Sequence, residues 1–195
     1  SLGLGVRPSA TYRIHEQGSI QITDGDLDVA ISGRGFFQVE MPDGTTGYTR
    51  AGSLQRNQNG DIVTNEGYRI TPSITIPADA VMVEINPEGE VFAKITGQTN
   101  MQNLGQIQLA DFVNPAGLEA TGDNLYLETD ASGAAVTGNP NSENFGKVMQ
   151  GMLESSNVDA VKEITNLISA QRAYEMNSNV ISTSDEMLQS VNQLK

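Results

Sequence analysis

Few residues in this chain have the chemistry of a reactive site. His15 is the single histidine, and there is no Cys and no Trp. A catalytic imidazole needs a nucleophile or an acid to work with, and no Ser-His-acid set or metal-ligand cluster can be grouped around His15 by spacing. It is read as structural. Asp24-Gly25-Asp26-Leu27-Asp28 places carboxylates at alternate positions, as a calcium loop begins. An EF-hand needs Gly at the sixth position and Glu at the twelfth, where this chain has Val29 and Gly35. Asp26 and Asp28 are therefore expected on the solvent face of a strand whose inner face is Leu27, Val29 and Ile31. Gly33-Arg34-Gly35 lacks the third glycine of a dinucleotide fingerprint and runs into a strand-like segment rather than a helix, so it reads as a glycine turn. Arg172 and Glu175, three apart in a helical pattern, read as a surface ion pair worth a few tenths of a kcal/mol, with intermolecular contacts as the alternative. The residues imply no enzyme, no metal and no cofactor.

Charge removes further classes. Across 195 residues, Lys+Arg number 11 against 24 Asp+Glu, a formal net charge of −13. Such a balance cannot build a phosphate-neutralising surface, so no nucleic-acid partner is expected, and anionic membranes are disfavoured too. No apolar run approaches the length of a bilayer span, and no charged-then-apolar leader is present, so no direct membrane insertion is expected. The chain opens at Ser1-Leu2 without Met and is expected to be the trimmed or ordered part of something longer.

The elements that must position these residues divide at one point. All 20 Gly and all 7 Pro fall in residues 1–151, and residues 152–195 contain neither. Gly and Pro punctuate turns, so the first part predicts many short strands and the last part is free to form one long helix. Asp43-Gly44, Asn59-Gly60 and Glu88-Gly89 are hairpin-turn dipeptides. Period-two sets Leu27/Val29/Ile31, Val81/Val83/Ile85 and Val91/Ala93/Ile95 predict half-buried antiparallel strands. Phe36–Val39, Tyr48–Arg50, Asp61–Thr64, Tyr68–Ile70, Ile107–Leu109 and Leu125–Leu127 add more. Tyr12–Ile14 and Ile20–Ile22 are edge-strand candidates, and Ser132–Asn144 reads as a loop. The resulting boundaries are an extended connector over 1–25, an antiparallel β domain over 26–145, a linker over 146–157 and a C-terminal helix over 158–195.

Ser155-Ser156-Asn157 is a helix start signal, with Asp159 and Glu163 where the dipole favours negative charge. Val158 to Leu194 would span about 55 Å of helix. Leu167, Tyr174, Ile181 and Leu188 recur every seven residues, and Ala173, Val180, Met187 and Leu194 form a second sevenfold ridge. The row between them, Ala170, Asn177, Ser184 and Val191, is small or polar at three of four positions. Two apolar ridges flanking a small-residue groove describe a coiled-coil-type assembly helix touching more than one neighbour. No earlier segment has a sustained helical period. The expected partners are an N-terminal segment absent from this chain or other copies of the same helix.

The motifs themselves carry a family resemblance. Gly33-Arg34-Gly35-Phe36-Phe37-Gln38-Val39, then Asp43-Gly44, Tyr48–Leu54 and Asn59–Thr64, resemble the β core of bacterial flagellar rod and hook proteins. Gln150–Val158, Gln171–Asn177 and Asp185–Leu188 resemble their C-terminal helix and its entry. Gly5–Pro8, Ile74–Ala80 and Asn124–Tyr126 are most similar to the distal-rod branch of the flagellar basal-body rod family, ahead of the proximal rod paralogues. The resemblance implies a structural subunit exported through the flagellar secretion channel, self-assembling helically into the hollow drive shaft that carries torque to the hook. It implies a homo-oligomer, contacts with other rod proteins, hook protein and surrounding outer ring proteins, and a basal-body location. It also implies an N-terminal helix that pairs with the C-terminal one and is absent before Ser1. The alternatives are a proximal-rod or hook paralogue, or a secreted β module binding sugar or calcium.

Overall fold

The computed structural model describes residues 17–158 and 160–193. His15 and the strand expected at Tyr12–Ile14 lie outside the described residues, as does Leu194. The chain divides into two units, with the boundary between Ser155 and Ser156.

The strands of the first unit all pair antiparallel, and one 3-10 turn, Pro115–Gly117, interrupts them. In chain order its strands are β1 (Ile20–Ile22), β2 (Val29–Ser32), β3 (Phe36–Glu40), β4 (Thr46–Thr49), β5 (Leu54–Arg56), β6 (Ile62–Thr64), β7 (Arg69–Thr71) and β8 (Ala80–Ile85). There follow β9 (Glu90–Ile95), β10 (Met101–Gln106), β11 (Leu109–Asp111), β12 (Glu119–Gly122), β13 (Leu125–Leu127), β14 (Val136–Gly138), β15 (Lys147–Gln150) and β16 (Met152–Glu154). The main sheet runs β12-β13-β4-β3-β7-β6-β5, with β11 joined to β3 and β14 joined to β11. β3 is its axis. One side pairs with β4 from Phe37 to Glu40, while the other is shared between β11 at Phe36–Phe37 and β7 at Gln38–Glu40. A three-stranded sheet β10-β9-β8 and the pairs β2–β15 and β1–β16 complete the unit.

The three predicted turn dipeptides each close a hairpin, β3–β4, β5–β6 and β8–β9. Asp123 and Asn124 close a fourth, β12–β13, both with left-handed backbone (φ 51° and 57°) that Asn and Asp tolerate better than other side chains. Burial of Val29, Ile31, Phe37, Val39, Ile62, Ile70, Val91, Ile107 and Leu109 joins the sheets into one core. Each such side chain contributes roughly 1.5–3 kcal/mol. A second cluster is aromatic: Phe112 meets Phe36 and Tyr48 edge-on, at centroid separations of 5.9 and 4.8 Å.

Four sequence expectations change. β2 starts at Val29 and is buried on both faces, so Asp26 and Asp28 precede the strand instead of lining its outer side. The Thr23 hydroxyl donates to Asp28 Oδ2 at 2.7 Å. Val81 does not share a face with Val83 and Ile85, because the β8–β9 register slips between Ala80 and Met82 and turns Val81 outward. The Ser132–Asn144 loop contains β14, and the stretch 146–157, read as a linker, contains β15 and β16. Short strands whose partners lie far away in sequence leave no local periodicity to read.

The second unit is one α-helix, α1 (Ala160–Gln193), of 34 residues. It begins two residues after the expected Val158, preceded by a turn in which Ser156 Oγ accepts from the Val158 N–H at 3.2 Å.

Candidate functional site

Every described side chain of α1 is exposed. Leu167 is 69% exposed, Tyr174 79% and Ile181 64%, whereas Val29, Ile31 and Phe37 are at 0%. Ala173, Val180 and Met187, from the second ridge, are exposed as well, together with the groove residues Ala170, Asn177 and Ser184. The side chains of Leu188 and Val191, and all of Leu194, lie outside the described residues. The heptad reading missed Val161, Ile164, Ile168 and Met176, all exposed and apolar. Val161, Ile164 and Ile168 stand at the i, i+3, i+7 spacing of one helical face, a signal the sequence did contain.

The polar side chains of α1 turn back on their own helix. The hydroxyls of Thr165, Ser182, Thr183 and Ser184 donate to the carbonyls of Val161, Ser178, Asn179 and Val180, at 2.8, 3.1, 2.9 and 2.8 Å. A groove residue such as Ser184 therefore presents a satisfied hydroxyl to whatever packs on it. The ion pair expected between Arg172 and Glu175 does not form. Glu175 instead accepts from the Gln171 side-chain amide, one turn away, at 3.4 Å. An exposed charge pair is worth too little to outweigh such an alternative.

A second constellation sits in the β unit, where the first and last of its described strands pair. β1 and β16 run antiparallel, with Ile20 opposite Glu154 and Ile22 opposite Met152. Glu154 meets Arg50, just past β4, through Arg50 Nε and Nη2, at 2.9 and 2.8 Å from Glu154 Oε2. Gln150 completes the edge of β8. Its side-chain oxygen accepts from Ile85 N–H at 3.0 Å, and its nitrogen donates to the carbonyls of Val83 and Asp26 at 2.9 and 2.7 Å. Sequence reasoning placed Arg50 on a strand and Glu154 in a linker. The available signal was isolation: each is the only charged residue for several positions on either side.

A cleft of about 400 Å³ beside this constellation is lined by Gln17, Arg34, Phe36, Arg50 and Asp111. Its charges are already paired, Arg34 with Asp111 at 2.8 Å and Arg50 with Glu154. Among the described residues no group of three or more His, Cys, Asp or Glu could hold a metal ion, Asp24, Asp26 and Asp28 included. No described helix is long and apolar enough to cross a membrane. What the geometry offers is a rod of exposed apolar side chains and a β unit whose end strands are tightly fastened.

The family model of the flagellar hook protein FlgE/F/G D1 domain matches residues 30–93, the strands from β2 to β9. That of the flagellar basal body rod FlgEFG protein C-terminal region matches 149–194, which takes in the end of β15, β16 and α1. Flagellar basal-body rod protein FlgG of Caulobacter vibrioides is 54% identical over 194 residues, covering 100% of this chain and 74% of that protein. The chain belongs to the FlgG family of flagellar basal-body rod proteins. FlgG of Agrobacterium fabrum is 52% identical over 187 residues, 96% of this chain and 71% of that protein. Flagellar hook protein FlgE of Salmonella typhimurium is 37% identical over 196 residues but matches only 44% of its own length. The margin between rod and hook relatives places the chain in FlgG, the distal-rod family, and sets aside the hook alternative. FlgG proteins are structural and non-enzymatic, they belong to the basal-body rod, and membership implies assembly with flagellar rod and hook proteins.

Proposed function

We propose that α1 is the element through which this FlgG subunit joins identical copies into a helical, hollow shaft that carries motor torque to the hook. The observation that supports this is a 34-residue helix, about 51 Å long, whose described apolar side chains are all exposed. An isolated helix gains little from propensity alone and needs a packed face to be stable. Leu167, Tyr174 and Ile181 form one contact ridge and Ala173, Val180 and Met187 the other, with Ala170, Asn177 and Ser184 admitting a close neighbour between them. Leu188, Val191 and Leu194 extend the same rows by their spacing. In this reading the copies, other rod proteins and hook protein meet at the ends and flanks of the shaft, and outer ring proteins surround the β units.

The test is a pair of adjacent substitutions. Ile181→Asp puts a carboxylate on the ridge, where burying it unpaired costs several kcal/mol in every subunit. Ser182→Asp, about 100° around the helix, leaves both ridges intact. Ile181→Asp is expected to abolish rods and motility at normal protein level with an unchanged melting temperature of the β unit, and Ser182→Asp to be tolerated. Normal rods in the Ile181→Asp strain would refute this role for the ridge.

A further inference from the structure

The guanidinium of Arg50 is saturated. Nε and Nη2 hold Glu154 Oε2, Nη1 donates to the carbonyls of Gly33 and Gly35 at 3.1 and 2.9 Å, and Nη2 also donates to the Ile31 carbonyl at 3.3 Å. Both side chains are well covered, 18% exposed for Arg50 and 10% for Glu154. The ring of Phe36 lies 5.9 Å from Arg50 Cζ. Glu154 reaches on with its other oxygen, Oε1, which accepts from the Gly18 N–H at 2.8 Å. Gln17 grips the same turn from the other side, donating to the Ile31 carbonyl at 2.8 Å and accepting from Gly33 N–H at 3.0 Å. One arginine thus ties the end of β4 and the β2–β3 turn to β16 and, through Glu154, to the residues that lead into β1.

The strands so fastened have little strength of their own. The β1–β16 ladder is three residue pairs long, and Gln21 and Ile22 are exposed. A two-stranded ribbon of that size is at best marginal in water. An arginine that sets two N–H donors on one carboxylate oxygen makes charge-assisted, directional hydrogen bonds, and a lysine cannot reproduce its fork.

We propose that Arg50, acting through Glu154, is a positioning residue for torque transmission. It locks the β1–β16 ribbon, built from the first and last described strands of the β unit, onto the sheet, so that force entering the unit along either strand loads this ion pair. The inference rests on the assembly reading above. It adds that rods lacking the pair assemble and then yield under load.

Two variants of the full chain test it. Arg50→Lys keeps the charge and loses the fork, and Glu154→Gln keeps the volume and an acceptor for Gly18 while losing the charge. The first measurement is amide hydrogen exchange. Thr23 N–H, bonded to the Gly151 carbonyl, and Ser155 N–H, bonded to the Ser19 carbonyl, report on the ribbon. Ile62 N–H and Ile107 N–H, bonded to Ile74 and Gly89, report on the sheets. Either variant is expected to speed exchange at Thr23 and Ser155 at least tenfold and to leave Ile62 and Ile107 within twofold. The second measurement is swimming speed against viscosity in strains carrying each variant in place of the parent protein. Rod number is expected to be normal, with speed falling at least twofold below the parent only at high viscosity.

Unchanged exchange at the ribbon, or equal loss at all four amides, would overturn the proposal. So would a speed–viscosity curve that overlays the parent's, or an absence of rods. Should Arg50→Lys fail to fold, Glu154→Gln decides by the same readings. Failure of the assembly reading is separate, since it shows as normal rods with Ile181→Asp.

Discussion

Asp61 shows how a single carboxylate is held in this fold. Thr75 Oγ1 donates to its Oδ1 at 2.8 Å, Asn57 Nδ2 donates to its Oδ2 at 3.3 Å, and Arg69 Nη2 stands 3.4 Å from the same oxygen. The Thr75 hydroxyl, then the Asn57 amide, hold its pKa below the usual carboxylate value against the effect of burial, and Arg69 adds to the lowering. Asp43 is lowered likewise, chiefly by the hydroxyl and then the backbone N–H of Thr45 in the β3–β4 turn. With a depressed native pKa, the unfolded chain binds more protons than the native one in that window. The stabilisation is therefore present above about pH 4 and lost as pH falls through the lowered value. Urea midpoints of the parent should drop as pH falls below about 4, and Asp61→Asn, though weaker at neutral pH, should show a shallower drop. An equally steep acid limb in Asp61→Asn would show that this hydrogen-bonded cluster contributes nothing to it.

At the scale of elements, β8 separates what the chain writes locally from what it does not. Val81, Val83 and Ile85 alternate in sequence as though all three faced inward, yet the register slip between Ala80 and Met82 leaves Val81 on the surface. Val81→Thr is accordingly expected to change unfolding free energy by less than about 0.5 kcal/mol. Val83→Thr, at a position packed against the core, should cost roughly 1–2 kcal/mol in the same denaturation measurement. The hairpins with Gly in the turn, the buried face of β9 and the long helix were all legible, because turn chemistry and short periods are local. β14, β15 and β16 were not, since each is three or four residues long and pairs with a strand far away in sequence. The Arg50–Glu154 pair was illegible for the same reason, its members lying 104 positions apart. The sevenfold rows read on the helix began at Leu167 and left out Val161, Ile164 and Ile168, which are exposed and apolar as well.

For the whole molecule, the β unit extends further than composition suggested. A fragment cut at 26 and 145 keeps the main sheet but loses β1, β15 and β16, and with them Val148, a core residue at 1% exposure. It also uncovers β2, which pairs with β15 through four residues. A fragment of residues 17–155 keeps all of these. We expect the longer fragment to unfold in one cooperative transition as a monomer, and the shorter one to be less stable by at least about 2 kcal/mol, the burial of one valine with its ladder. Chemical denaturation of the two side by side decides it, and equal midpoints would show that the end strands lie outside the cooperative unit.

The pairing of β2 with β15 and β1 with β16 also fixes an order in time. Gly18 and Glu154, joined by a hydrogen bond, are 136 positions apart in the chain. A polypeptide that emerges one end first, from a ribosome or from a narrow channel, delivers β1 and β2 early and their partners last. Hairpins such as β3–β4 and β5–β6 can close as soon as they appear, because their contacts are short-range, while contacts across most of the chain must wait. Until β15 arrives, Val29 and Ile31 lack Val148 and the β15 backbone, and Glu154 cannot reach Arg50. Closure of β1 on β16 and of β2 on β15 therefore registers that the strands of the β unit have come through, before the helical segment follows.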